Sequence, residues 1–235
     1  MKVSEALESR LSIRDFSSRP VPMETIRRVL TRSARAPSGG NLQPWHLDVV
    51  IGDRLSALKQ HMAHRLAETE AGARSEAAEY DIYPKVLPSP YRDYRHELGE
   101  DMYRRLGIAR DDKAGLRSWF ARNYQCFGAP MALFCSVDRR MGAPQWSDLG
   151  MLLQSVMLLL REEGLDSCAQ ECWAVYPATI SRFLEIPAHR MLFTGMSIGY
   201  RNADHPVNAL RSRRAPIDSF VRFHGIDAME APPTS

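Results

Sequence analysis

Two arginines and a serine near the start of the chain alternate with other residues, at positions Arg10, Ser12 and Arg14. In an extended strand alternate side chains point to the same face, so these three polar groups would lie side by side. Two guanidinium groups flanking a hydroxyl suit a phosphate, because arginine donates paired hydrogen bonds to its oxygens. The spacing alone favours a solvated arginine pair beside Asp15, and a phosphate site is the alternative that these residue types also fit.

A second polar stretch, residues 37–45, reads Pro-Ser-Gly-Gly-Asn-Leu-Gln-Pro-Trp and lies between a helical pattern and an apolar run. Its two consecutive glycines free the backbone to take unusual dihedral angles or to approach a ligand closely. Ser38, Asn41 and Gln43 add short polar groups. Such a loop suits a flat polar ligand that needs hydrogen bonds, and an ordinary helix-to-strand turn is the alternative.

Read together, the string Arg-Leu-Ser-Ile-Arg at residues 10–14 and the loop at residues 37–45 resemble the FMN-dependent nitroreductase family. Members of that family carry an Arg-x-Ser-x-Arg-like string near the N-terminus and a Pro-Ser-x-x-Asn-x-Gln-Pro-Trp loop further along the chain. Two motifs in the right order and at the right separation are far more specific than either alone. The resemblance also includes residues 123–130, 145–150 and 199–214.

The resemblance implies an FMN site built from several parts of the chain. The N-terminal string would contact the phosphate and ribityl groups, and a segment at Gln170 and Glu171 would face the flavin, without deciding which of the two touches the ring. A basic cluster resembles a second phosphate clamp, in which Arg213 is not excluded. The residues expected to bind the cofactor are Arg10, Ser12, Arg14, Pro37, Ser38, Gly39, Asn41, Gln43, Gln170, Glu171, Arg211 and Arg214.

The resemblance also implies an activity, the NAD(P)H-dependent reduction of nitroaromatic or quinone-like acceptors. In the family the nicotinamide passes hydride to flavin N5 and leaves before the acceptor takes the same place, which gives ping-pong turnover. No side chain needs to act as a catalytic group. The same fold could serve reductive dehalogenation or flavin breakdown, or the chain could bind flavin with little turnover. Neither NADH nor NADPH is favoured, because no single basic residue can be tied to a 2′-phosphate.

Two other motifs suggest different chemistry. Residues 195–199 read Gly-Met-Ser-Ile-Gly, which matches the Gly-x-Ser-x-Gly string of serine hydrolases. That string needs a helix directly after the serine, whereas a polar loop follows here, so no nucleophile is expected. His61 and His64 lie three positions apart on a predicted helix, but no third ligand is close in sequence, and no metal site is expected.

Composition indicates a globular protein with a full core, since 44% of its 235 residues are hydrophobic. A net charge of +3 is too balanced for a dedicated nucleic-acid binder. The longest apolar segment, residues 149–160, is too short for a membrane span, so no membrane partner is expected. The N-terminus lacks the apolar region of a signal peptide, which predicts a cytoplasmic protein.

Apolar runs predict strands at residues 47–51, 131–137 and 191–200, and the family resemblance implies an α+β fold. The clearest helix runs from residue 149, with Ser147 or Asp148 as its N-cap and Gly164 as its stop signal. The family resemblance implies a nitroreductase-like fold, a central, mostly antiparallel sheet flanked by helices. It further implies an intertwined homodimer with FMN at the subunit interface and a small aromatic substrate.

We expect residues 1–235 to form a single domain with an excursion at about 80–123. The family resemblance implies that this excursion embraces the partner subunit and roofs the flavin. A surface hairpin without a catalytic role is the alternative. Residues 167–173 are expected to form a loop over the flavin. Residues 217–223 could pair with or pack on the partner, and residues 231–235 are expected to be disordered.

Overall fold

The computed structural model describes residues 1–72 and 75–224. Within these ranges helices and strands alternate along the chain, and short 3-10 helices connect several of them. The elements are α1 Val3–Ser9, α2 Met23–Ser33, β1 Trp45–Ile51, α3 Gly52–Glu70, α4 Tyr91–Leu106, α5 Lys113–Ala121, β2 Met131–Asp138, α6 Ala143–Glu162, β3 Asp166–Gln170, α7 Pro177–Leu184 and β4 Arg190–Gly199. The predicted strands all form, and β1 begins two residues earlier than expected.

The strands form one sheet in the order β1-β2-β4-β3, and each neighbouring pair is antiparallel. At the β3 edge, Ser12 forms an isolated parallel bridge with Ser167. The expected α+β architecture with a mostly antiparallel sheet is therefore confirmed. The bridge matters because it fixes the N-terminal polar string against the sheet.

Helices cover both faces of the sheet. Side chains of a strand alternate between the two faces, so each central strand contributes to the core on both sides. On β2, Met131 and Leu133 pack in one hydrophobic cluster with side chains of α2 and α6. Ala132 and Phe134 point the other way, into a cluster that includes side chains of α3 and α7. The molecule is thus a three-layer arrangement whose central strands are buried on both faces.

The start of α6 differs from the prediction. Ser147 and Asp148 lie inside the helix, and the N-cap is Gly142. Its backbone N–H donates to Gln145 Oε1 over 3.1 Å, which satisfies one of the free donors at the helix start. The prediction was wrong because it followed the apolar periodicity, which begins at Leu149, whereas α6 begins six residues earlier with a first turn that carries a proline.

The end of α6 agrees with the prediction. Gly164 takes a positive φ of 72°, which glycine adopts without a steric penalty. The backbone N–H of Leu165 then donates to the carbonyl of Leu160 over 2.8 Å and closes the last turn.

The chain turns directly into β3, so the expected loop at residues 167–173 was wrong. Pairing with β4 makes residues 166–170 a strand despite their polar composition.

The expected excursion at about 80–123 contains α4 and α5, and α4 buries none of its side chains. Exposed apolar side chains follow near the end of the described chain, at Ile217, Phe220 and Phe223. Among the described helices, none combines the length and the apolar character needed to cross a membrane. The expectation of disorder at residues 231–235 falls outside the described residues.

Candidate functional site

Two basic segments that are far apart in sequence meet at one cavity of about 320 Å³. Its arginines come from the N-terminal string and from the segment after residue 210. We call it the arginine cavity, and it is lined in part by Arg10, Ser12, Arg14, Arg211 and Arg214. These are the five residues that the sequence assigned to a phosphate.

The N-terminal string is held as an extended strap along the sheet edge. The backbone N–H of Ile13 donates to the carbonyl of Ser167 over 3.1 Å. Ile13 itself is fully buried, while Ser12 and Arg14 on either side face the arginine cavity. The alternation that the sequence predicted therefore places the apolar residue in the core and the polar neighbours at the site.

Asn208 is a site residue that the sequence analysis missed. Its Oδ1 accepts from the backbone N–H of Arg14 over 2.9 Å, and its Nδ2 donates to the carbonyls of Asp15 and Asn202. Asn208 is only 5% exposed, so the N-terminal strap and the C-terminal segment are joined through one buried amide. A contact between residues 194 positions apart leaves no local pattern in one sequence.

Among the described residues that line the arginine cavity, four arginines are set against one carboxylate, Glu8. The Nε of Arg10 is buried and has no hydrogen-bond partner. Arg14 and Arg211 donate to backbone carbonyls of Ser12 and Glu8, and Arg214 does so to nearby backbone oxygens. Among residues 1–72 and 75–224, no carboxylate forms an ion pair with any of these four arginines. Such a site favours an anion with several acceptor oxygens.

Arg213, which the sequence did not exclude from the clamp, lies apart from the arginine cavity. Its Nη1 donates to Glu97 Oε1 on α4 over 2.9 Å, and both side chains are exposed. The structure therefore groups Arg211 and Arg214 in the cavity lining and places Arg213 outside it.

A second and larger cavity of about 790 Å³ adjoins the arginine cavity, because Arg14 and Leu98 line both. Its walls come mainly from α4 and from the turn that follows. We call it the α4 cavity. A ligand anchored in the arginine cavity would have this volume beside it.

Gln170 and Glu171, which the sequence could not separate, have different surroundings. Gln170 is 3% exposed, and its amide donates to the carbonyl of Asn123 over 2.7 Å and accepts from the Ser197 hydroxyl. Glu171 is exposed at the end of β3, where partial desolvation raises the pKa of its carboxyl. Only Glu171 has a side chain free to reach a ligand.

The loop at residues 37–45 has the unusual backbone that the sequence suggested. Gly40, Asn41 and Gln43 all have positive φ angles, at 56°, 57° and 48°. Such angles are costly for residues with a Cβ and cluster at ligand sites. The Ser38 hydroxyl accepts from the backbone N–H of Gln43 over 3.0 Å and holds the loop in this shape.

The loop and the arginine cavity lie towards opposite ends of α6. The backbone N–H of Gly39 donates to Asp148 near the start of the helix, whereas Ser9, in α1, contacts Arg161 near its end. Arg161 lies thirteen positions after Asp148 in the helix, which corresponds to about 20 Å. Side chains of the two regions in one chain therefore cannot hold the same small group.

The Gly-Met-Ser-Ile-Gly string lies inside β4 and has a packing role. The Ser197 hydroxyl is fully buried and donates to Gln170. A Cβ at Gly195 would overlap the indole of Trp173, and one at Gly199 would overlap Pro130. The glycines therefore admit close neighbours, and the serine sits within a strand, without the strand-to-helix turn of a nucleophile elbow.

The two histidines singled out in α3 make ordinary side-chain contacts. His61 stacks on Phe183 with ring centroids 6.0 Å apart, and the Nε2 of His64 lies 3.3 Å from Glu68. In the part of the chain that the structure describes, no group of three or more His, Cys, Asp or Glu side chains could hold a metal ion.

Comparisons of sequence and of structure with known proteins point to the same family. The model of the nitroreductase family matches residues 7–200. A 4-nitrobenzoate reductase of Nocardioides sp. (strain LMS-CY) is 34% identical over 218 residues, covering 92% of this chain and 87% of that protein. The FMN and NADPH-dependent nitroreductase NfnB from sphigopyxis sp. strain HMH superposes with a TM-score of 0.92 at 46% identity, over 96% of this chain and 100% of that chain. NfnB from Mycobacterium smegmatis, solved in complex with NADPH, gives a TM-score of 0.87 at 28% identity, over 94% and 99% of the two chains.

Proposed function

The chain belongs to the nitroreductase family and has its fold, and on this basis we propose that it is an FMN-dependent oxidoreductase that uses NADPH to reduce nitroaromatic compounds. Solved relatives described as FMN and NADPH-dependent support the cofactor and the reductant. A relative described as a 4-nitrobenzoate reductase supports the class of acceptor.

The single observation that carries the proposal is the arginine cavity. Four guanidinium groups and a serine line it, and the buried Nε of Arg10 lacks a partner. A phosphate monoester supplies the acceptor oxygens and the negative charge that these donors need. The residues therefore fit the phosphate end of FMN.

We further propose that the complete site needs a second copy of the chain. The loop at residues 37–45 and the arginine cavity are about 20 Å apart along α6. In a two-fold symmetric dimer, each contact between two different positions occurs twice. Antiparallel packing of two α6 helices would bring the loop of one chain to the arginine cavity of the other.

The exposed face of α6 has residues that suit such packing. Gly150 and Met151 are exposed, and a Cβ at Gly150 would meet no atom within 4 Å. A glycine and an apolar side chain on one helix face allow a close approach of a second helix. The exposed apolar residues 217–223 are available to pack on the same partner.

The protein's part in the reaction is to bind and orient. Bound FMN supplies the redox chemistry, a two-electron reduction by the nicotinamide followed by reduction of the acceptor. The arginine cavity neutralises the phosphate, and the loop at residues 37–45 presents backbone and side-chain donors to the flavin. Glu171, with its exposed carboxyl at the end of β3, is the side chain of the 170–171 pair that can contact the ring.

Steady-state kinetics test the proposal. With FMN-loaded protein, NADPH oxidation is measured over a grid of NADPH and 4-nitrobenzoate concentrations. One shared site predicts parallel lines in a double-reciprocal plot, because reductant and acceptor exclude each other. Intersecting lines contradict the shared site. If the FMN-loaded protein oxidises neither NADPH nor NADH, that result contradicts the proposed enzymatic activity and favours a flavin-binding role.

A further inference from the structure

The α4 cavity combines an apolar interior with a basic rim. Leu98, Met102, Ile108 and Leu116 provide apolar surface. Arg92, Arg95 and His96 follow one another at helical spacing, so they share a face of α4 that borders the cavity. A ligand that fits this space has an apolar body and an anionic end.

The charges around the α4 cavity are strongly unequal. Five arginines line it, at positions 14, 92, 95, 104 and 110, against one carboxylate, Glu100. Three of these arginines have an acidic partner: Arg92 with Asp93, Arg104 with Asp101, and Arg110 with Glu100. Within the described ranges, Arg14 and Arg95 form no ion pair.

Arg95 differs from Arg14 in the cavities that it lines and in its contact with an aromatic ring. Arg14 also lines the arginine cavity, whereas Arg95 lines the α4 cavity alone. The guanidinium of Arg95 lies 4.3 Å above the ring of Tyr83, a cation–π contact that restricts its orientation. Stacking uses the flat face of the guanidinium and leaves its N–H groups free to donate to an anion.

We propose that Arg95 is a specificity-determining residue that binds the anionic group of a ligand whose apolar part occupies the α4 cavity. This assignment rests on the proposed function, since it concerns what binds beside the cofactor. The shared chemistry is a carboxylate or phosphate on an aromatic compound. Its source is either the acceptor, as an aromatic acid, or the reductant, through the 2′-phosphate of NADPH.

The test compares pairs of ligands that differ in the anionic group. Isothermal titration calorimetry on the purified FMN-loaded protein measures Kd for 4-nitrobenzoate and for neutral 4-nitrobenzamide. The same experiment compares NADP⁺ with NAD⁺. Because binding is measured directly, the result does not depend on turnover, and a failure of the proposed enzyme activity is seen separately.

The decisive variant is Arg95→Gln, with Arg105→Gln as a control on the same helix but outside the cavity lining. Because Arg105 does not line the α4 cavity, its loss is expected to change each Kd less than two-fold. Loss of Arg95 is expected to weaken one of the two anionic ligands by about 5- to 20-fold, because a hydrogen-bonded charge is lost. The counterpart that lacks the anionic group, 4-nitrobenzamide or NAD⁺, is expected to bind as before.

The outcomes separate the two sources. A loss confined to 4-nitrobenzoate assigns Arg95 to the acceptor, and a loss confined to NADP⁺ assigns it to the reductant. Equal losses for both members of a pair, or no loss for either anionic ligand, overturn the proposal. The proposal is also overturned if the wild-type protein binds 4-nitrobenzoate no better than 4-nitrobenzamide and NADP⁺ no better than NAD⁺. Loss of FMN from the Arg95→Gln protein also overturns it, since the arginine would then serve the cofactor.

Discussion

Arg213 and Arg214 are adjacent in sequence but contact different parts of the molecule. Arg214 lines the arginine cavity, whereas Arg213 points to Glu97 on α4. The side chains of neighbouring residues in an extended segment point in opposite directions. Two adjacent arginines can therefore have different contacts, which the structure shows and the residue type alone does not. The pair therefore supplies both a test of the site and its control.

Substituting Arg214 by alanine is expected to weaken FMN binding by about 10- to 100-fold, because a charge-assisted hydrogen bond to phosphate is lost. Arg213→Ala, which removes an exposed pair outside the cavity, is expected to change the FMN Kd less than two-fold. Fluorescence titration of the apoprotein with FMN measures both. Equal effects of the two variants would contradict the assignment of the arginine cavity to phosphate.

Gln170 and Glu171 are expected to respond differently to substitution. Gln170→Leu leaves the Ser197 hydroxyl and the Asn123 carbonyl without their buried partner, which is expected to cost about 1–3 kcal/mol of stability. Glu171→Gln changes an exposed side chain, and its effect on stability is expected to stay within about 0.5 kcal/mol. Urea denaturation of both variants measures the difference. A larger stability loss in Glu171→Gln than in Gln170→Leu would contradict the orientation of the two side chains.

At the level of elements, the sequence was most informative where apolar periodicity was strong. The interior of α6 and strands β2 and β4 were predicted from their apolar runs. The first turn of α6 and the whole of β3 were missed, because residues 143–148 lack the apolar repeat and residues 166–170 are mostly polar. The start of α6 is fixed by a local contact between Gly142 and Gln145 that apolar periodicity does not show, whereas β3 is fixed by pairing with β4, which no local pattern encodes.

The packing of β4 against the segment after β3 gives a test at this scale. A Cβ at Gly195 would overlap the buried indole of Trp173, so Gly195→Ala is expected to destabilise the protein by about 1–3 kcal/mol. Gly99→Ala in α4, where the new Cβ would lie 4.0 Å from Tyr103, is expected to stabilise by about 0.5–1 kcal/mol. Thermal denaturation compares the two. A neutral Gly195→Ala would mean that the indole can move aside without cost.

At the scale of the whole molecule, family motifs predicted the fold, and the phosphate residues that they named do meet at one cavity. The motifs could not show that the loop at residues 37–45 would lie about 20 Å away along α6. A motif lists residues without saying which chain supplies each of them. That separation is the reason for proposing a site shared between two chains.

Mixed dimers test the shared site. Arg14→Ala and Asn41→Ala are expected to retain little FMN as separate proteins. If clamp and loop come from different chains, a heterodimer of the two variants has one site with both substitutions and one with neither. Co-expression with two affinity tags should then yield about one FMN per dimer. Failure to regain flavin in the heterodimer would place the whole site within a single chain.

The central claim is that this chain binds FMN and passes electrons from a nicotinamide to a nitroaromatic compound. An anaerobic absorbance scan of the purified protein, before and after NADPH, tests it most directly. The account predicts a flavin band that bleaches with NADPH and returns on adding 4-nitrobenzoate, together with release of FMN on heating. A protein that takes up no flavin on reconstitution, or whose bound flavin neither NADPH nor NADH bleaches, would contradict it.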